Sequence, residues 1–107
     1  ALDRPERAEG PINEALRLAP DHGDAWHQRG MLYTAWEKYE AALSDFEAAI
    51  RADGNNIHAR VQAAAIHHAS NNVEQASAGW RGVLALEPDH PLARQRLQQC
   101  EQQLASI

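Results

Sequence analysis

Six histidines and a single cysteine give this 107-residue chain its widest chemical repertoire: metal ligation, proton transfer and nucleophilic attack. Their spacing argues against most of it. His67 and His68 are adjacent, so on a helix they point to different faces and do not readily share one ion. His58 and His68 lie nearly three helical turns apart, about 15 Å at 1.5 Å per residue. Helical metal sites want partners at i, i+3 or i+4, with cysteine or carboxylate to complete the set, so no metal is expected. No Ser/His/Asp set or acid–base pair is legible, and Gly10 and Gly54 punctuate rather than cradle a phosphate. The chain is therefore expected to be no enzyme and to carry no cofactor. Cys100 shares an apolar stripe with Ala93, Leu97 and Leu104, which fits a buried structural thiol better than a nucleophile. One cysteine also excludes an internal disulfide framework.

The elements that would position such residues are helical. Hydrophobic content is 44 %, but the apolar residues are mostly small, alanine dominating and Phe46 standing alone among phenylalanines. Such residues suit closely packed helices and poorly furnish a sheet. The net charge of -5 argues against nucleic acid, whose phosphates need a basic face. No run of about 18 apolar residues is present, so no membrane insertion is expected. A charged and apolar leader is not read at the start. Basic charge is almost all arginine, with Lys38 the single lysine, as expected of a GC-rich bacterium, in its cytoplasm or periplasm.

Compared with itself at an offset of 34, the chain repeats. The aligned columns are Ala8, Ala42 and Ala76; Ile12, Phe46 and Trp80; Leu16, Ile50 and Leu84; Pro20, Gly54 and Pro88; and Ala25, Ala59 and Ala93. Polar breaks align too, at Asp21-His22, Asn55-Asn56 and Asp89-His90. Trp26, Gly30 and Tyr33 share one face of a first helix, with Gly30 where another helix approaches closely and Ala64 as its counterpart. Ala42, Phe46, Ala49 and Ile50 form the inward stripe of a second helix, repeated by Ala76, Trp80, Val83 and Leu84. Polar turns fall around Glu37-Lys38 and Ser70-Asn71-Asn72. Pro20 and Pro88 end second helices, and Gly54 is expected to act as a helix C-terminal stop. Trp26 and Trp80 are expected in the core, Trp36 between helices, and His67 as a hydrogen-bonded, half-buried residue. The predicted helices span 5–18, kinked at Gly10-Pro11, then 23–36, 40–52, 57–70, 73–86 and 91–105.

The columns resemble the tetratricopeptide repeat, W-x2-L-G-x2-Y, then A-x3-F, then P. One unit reads Trp26-x2-Arg29-Gly30-x2-Tyr33 and Ala42-x3-Phe46. The next reads Arg60-x2-Ala63-Ala64-x2-His67, Ala76-x3-Trp80 and Pro88. The departures are Arg29 for leucine, Gly54 for proline, and Arg60, Ala63 and His67 in the second unit's first helix. The resemblance implies an all-α, right-handed α-solenoid of antiparallel helix pairs. Residues 1–107 would form a single array segment: 5–22 the second helix of a truncated repeat, 23–56 and 57–90 full repeats, and 91–107 a capping helix. The mid-repeat start and the glutamine-covered closing helix lead us to expect a C-terminal segment of a longer array.

The resemblance also implies that first helices line a concave groove that takes a peptide or partner helix. By register the groove residues are Asp24, His27, Gln28, Met31 and Thr34, then His58, Val61, Gln62, Ala65 and His68, then Leu92, Gln95, Arg96, Gln99 and Gln102. A groove holding His27, His58 and His68 is expected to bind in a pH-dependent way. The family's carboxylate clamp maps onto His27, Met31, Gln62, Leu92 and Arg96, of which only Arg96 keeps the required type, so capture of that kind is not expected. The expected function is a protein–protein interaction scaffold within a bacterial assembly, secretion or regulatory protein. The alternatives are a substrate-recruiting segment of a larger transferase or kinase, and end-to-end self-association through the open first helix.

Overall fold

The computed structural model describes residues 5–106, with side chains from residue 9 onward, so the Ala8 side chain lies outside the described residues. Every regular element among them is a helix: α1 Pro5–Leu18, α2 Gly23–Ala35, α3 Tyr39–Ala52, α4 Ile57–Ala69, α5 Val73–Leu86 and α6 Pro91–Ala105. They form two compact units, Ala1–Gly54 and Asn55–Ile107, parting two residues before the repeat boundary read from the sequence. Within each unit successive helices pack on one another across turns of three or four residues, which forces antiparallel neighbours. No helix among the described residues is long and apolar enough to cross a membrane.

In the first unit α2 packs on α1 and α3. Ala42, Phe46 and Ala49 are completely buried, with Leu16 and Ala25 nearly so. The expected close approach is at Gly30, where a Cβ would stand 2.8 Å from the Phe46 ring. Arg29, the departure from leucine, has a specific partner. Its Nε donates to Asp45 Oδ2 at 2.8 Å and its Nη2 to Oδ1 at 2.9 Å, while Nη1 donates to Asn13 Oδ1 at 2.8 Å. One guanidinium thus ties α1, α2 and α3 together. Tyr33 donates its hydroxyl to the Glu9 carboxylate of α1. That bond, with burial, holds the phenol above its usual pKa, and the bond to Asp45 raises that of Arg29.

In the second unit α5 packs on α4 and α6 around Ala64, Ala76, Trp80, Val83, Ala93 and Cys100. Ile57, Val61, Val73, Leu84 and Leu97 close over that core. Here the glycine sits on the other helix: a Cβ on Gly79 would stand 2.8 Å from the Ala64 Cβ. Gly79 is the repeat counterpart of Asp45, and Ala63 that of Arg29, so the second unit has alanine and glycine where the first has its ion pair.

Both turns from first to second helix are built alike. Lys38 N–H donates to Tyr33 O, and Glu37 N–H to Thr34 O; Asn72 and Asn71 repeat this on His67 O and His68 O. This paired pattern closes a helix when the residue beyond its cap is left-handed, and Glu37 (φ 60°) and Asn71 (φ 64°) are. The stop after α3 differs from expectation. Asp53 turns extended (φ -148°), as Glu87 does after α5 (φ -139°), and no glycine among the described residues has positive φ. Gly54 therefore follows the stop rather than making it. Helix α1 also runs through Gly10-Pro11 without being shortened. Both residues are exposed.

Candidate functional site

The residues assigned to the groove fall on both units. In the first, Asp24, His27, Gln28 and Met31 come together on the open face of α2 around a cavity of about 360 Å³. The arrangement follows from helical spacing, since i, i+3, i+4 and i+7 share a face. His27 meets Phe46 edge-on, with centroids 5.6 Å apart, so its ring is braced against the core. Met31 is exposed. Thr34 is half-buried, its hydroxyl donating to Gly30 O of the same helix at 2.8 Å, and does not line this cavity.

In the second unit Ala65, His68 and Arg96 line a cavity of about 280 Å³ with Ala69, Trp80 and Leu92. The opening exists because the exposed face of α4 carries only alanines there. The floor is the Trp80 ring, which is 1 % exposed, and the rim cation is Arg96. Arg96 is exposed and donates to Gln99 Oε1 at 3.2 Å. No carboxylate lies within 4.0 Å of its guanidinium among the described residues. His68 and Gln99 share a second cavity with Gln102, Gln103 and Ser106, about 290 Å³ and lined by amides. His68 forms a wall of both, held by Nε2 donating to Gln103 Oε1 at 3.2 Å. His58, Gln62 and Gln95 line neither cavity; His58 and Gln95 are exposed and Gln62 is half-buried. Trp80, Ala69, Gln103 and Ser106 are site residues that sequence reasoning misses. The column of Trp80 assigns it wholly to the core; the openness of α4 above it, at Ala65 and Ala69, is the available signal.

Other aromatic and polar expectations need correction. Trp26 is half-buried rather than core. Its Nε1 donates to Pro20 O at 2.7 Å, and the Arg29 guanidinium lies 5.0 Å from its ring centroid. Arg29 is charged and partly exposed, so the ring it covers stays near the surface. Trp36 stacks on Tyr33 and is covered by Lys38 Nζ at 4.7 Å. His67 Nδ1 is buried and, like Trp80 Nε1 and Ser77 Oγ, has no hydrogen-bond partner among the described residues. Cys100 is fully buried, and desolvation pushes its thiol up from the usual pKa, leaving the unreactive protonated form. Among the described residues no three His, Cys, Asp or Glu side chains come together as metal ligands.

Comparison with known proteins agrees with this architecture. Residues 23–56 match the family model of the tetratricopeptide repeat. Sperm-associated antigen 1 of Mus musculus is 30 % identical over 80 residues, which cover 75 % of this chain and 9 % of that protein. The first tetratricopeptide domain of Spaghetti (RPAP3), solved bound to the HSP90 peptide SRMEEVD, superposes with a TM-score of 0.83 at 24 % identity over 94 % of this chain and 80 % of its own. The second such domain of human RPAP3, in complex with the HSP70 peptide SGPTIEEVD, gives 0.79 at 25 % identity over 91 % and 81 %. The fold is the all-α helical repeat solenoid of those structures, and residues 23–56 of the chain are a tetratricopeptide repeat.

Proposed function

We propose that this chain is a non-catalytic interaction module that grips an extended peptide in its second unit. The observation that carries the reading is the cavity between α4 and α6, with an apolar floor at Trp80, small walls at Ala65 and Ala69, and Arg96 at its rim. Concave, mostly apolar sites with a few polar groups can hold one side chain and orient the residues beside it. An apolar anchor on Trp80 would bring a neighbouring carboxylate to Arg96. The amides of Gln99, Gln102 and Gln103 would then take up backbone groups of the same strand. The peptides in the two related structures, each with an apolar residue ahead of acidic ones, support this polarity. The face of α2 around His27 and Met31 is proposed as a second contact surface.

The test is a titration of labelled peptides that place one leucine or methionine beside one or two glutamates. Ala65→Arg fills the cavity mouth from an exposed position and should weaken binding at least about tenfold, the scale of one lost apolar anchor. His27→Ala with Met31→Ala probes the face of α2 separately. Peptides that bind the Ala65→Arg variant as tightly as the parent chain would remove the reading.

A further inference from the structure

We propose that the first turn of α6 is held by an acid-sensitive clasp, the neutral imidazole of His90. Three helices begin at the same repeat column, and each is capped by the side chain found there. His22 Nδ1 accepts from Ala25 N–H at 3.3 Å, Asn56 Oδ1 from Ala59 N–H at 3.0 Å, and His90 Nδ1 from Ala93 N–H at 3.1 Å. A ring nitrogen that accepts from a backbone N–H must carry a lone pair, so both histidines act as the neutral ring protonated at Nε2. Asparagine has no such requirement. Of these three caps, the two histidines can take up a proton and the asparagine cannot.

The three differ in what remains when the cap is lost. Ala93 and Ala59 are both 0 % exposed, so neither amide can fall back on water. Ala25 N–H also donates to His22 O at 3.1 Å and keeps a partner. At α6 the next residue is Pro91, which supplies no donor, so the His90 cap is concentrated on Ala93. Once protonated, His90 presents an N–H to an N–H and adds a positive charge to the positive end of the helix. Both effects drive the ring away. The stabilisation is therefore present while the imidazole is neutral and is lost as pH falls.

The charged neighbours do not reverse the sign. Glu87 Oε2, on the turn before α6, lies 4.0 Å from His90 Nε2 and is more than half exposed. It favours the cation weakly and leaves Nδ1 without its lone pair. Asp89 lies 4.0 Å from Arg94, and no other carboxylate is within 4.0 Å of the His90 ring among the described residues. At His22 the flanking charges are Asp21 and Asp24, with Arg51 of α3 across the cavity it shares with Asp21. The α6 turn also carries Leu92, a wall of the Trp80 cavity. A bearing on peptide affinity rests on the binding reading; the clasp itself does not.

Amide exchange in the unliganded 107-residue chain tests it, with protection corrected for intrinsic rates at about pH 7.5 and about pH 5. Protection of Ala93 should fall about fivefold further than that of Ala59, the loss expected of one cap, with Ala25 between them. His90→Asn should make Ala93 behave as Ala59 does. The thermal midpoint of His90→Asn relative to the parent chain should rise as pH falls, a reading that survives fraying elsewhere. Equal responses at Ala93 and Ala59, or a His90→Asn variant as acid-sensitive as the parent in both measurements, would overturn the proposal.

Discussion

At the residue scale the decisive pair is Arg29 and Asp45. The Asp45 side chain is 3 % exposed, so its charge depends on the two parallel bonds from the guanidinium. Removing one partner of a buried pair leaves the other charged and unpaired. Arg29→Ala should therefore destabilise the first unit by about 3 kcal/mol, read from the denaturant midpoint. Arg29→Ala with Asp45→Ala should recover most of that loss, because the second unit already manages with Ala63 and Gly79 in the same places. A double variant no better than the single one would mean that the bonds to Asn13 and the Trp26 ring matter more than the ion pair. Sequence comparison exposes Arg29 as a departure from the repeat pattern but cannot supply its partner. The reason is that the compensating change lies 16 residues away on another helix, and pairing is a property of packed geometry.

At the element scale, the helix spans were legible to within one residue because apolar period and turn residues agree throughout the chain. What the pattern did not carry was backbone sign. Glu37 sits left-handed with no side-chain reason to do so, whereas its counterpart Asn71 is a residue that tolerates that region. Glu37→Gly should accordingly stabilise the chain by about 1 kcal/mol, seen as a higher thermal midpoint, while Asn71→Gly gains less. An unchanged midpoint for Glu37→Gly would show that the side chain compensates the strain. The helix crossings make a second element-scale prediction. Gly79→Ala forces two backbone-anchored methyl groups together, and neither can swing aside. The expected loss is about 1–3 kcal/mol. Adding Ala64→Gly restores the arrangement of the first unit, with the glycine on the first helix, and should return part of that loss. No rescue would place the clash on the Ala64 backbone, 3.2 Å from the added Cβ, instead.

At the scale of the whole molecule, the repeat and the fold were written in columns of small and large residues, and the candidate site was only partly so. Register placed Ala65, His68, Leu92, Arg96 and Gln99 on suitable faces, but a cavity also needs a floor, and Trp80 comes from the helix behind. Net charge acts over the whole chain and opposes that site locally. A chain of net charge -5 repels an acidic peptide at long range, while Arg96 attracts it on contact. Salt screens both, since Arg96 is exposed and the Debye length shrinks from about 10 Å at 0.1 M to about 3 Å at 1 M. The affinity of an apolar–acidic peptide should therefore change little across that range, because the two terms weaken together. In Arg96→Gln only the repulsion remains, so the same peptide should bind more weakly at low salt and regain affinity as salt rises. A peptide with glutamine in place of glutamate separates the two effects, because it is indifferent both to the substitution and to salt. If Arg96→Gln left the salt dependence of the acidic peptide unchanged, the carboxylate would not lie at Arg96, and the polarity assigned to the bound strand would have to be reversed.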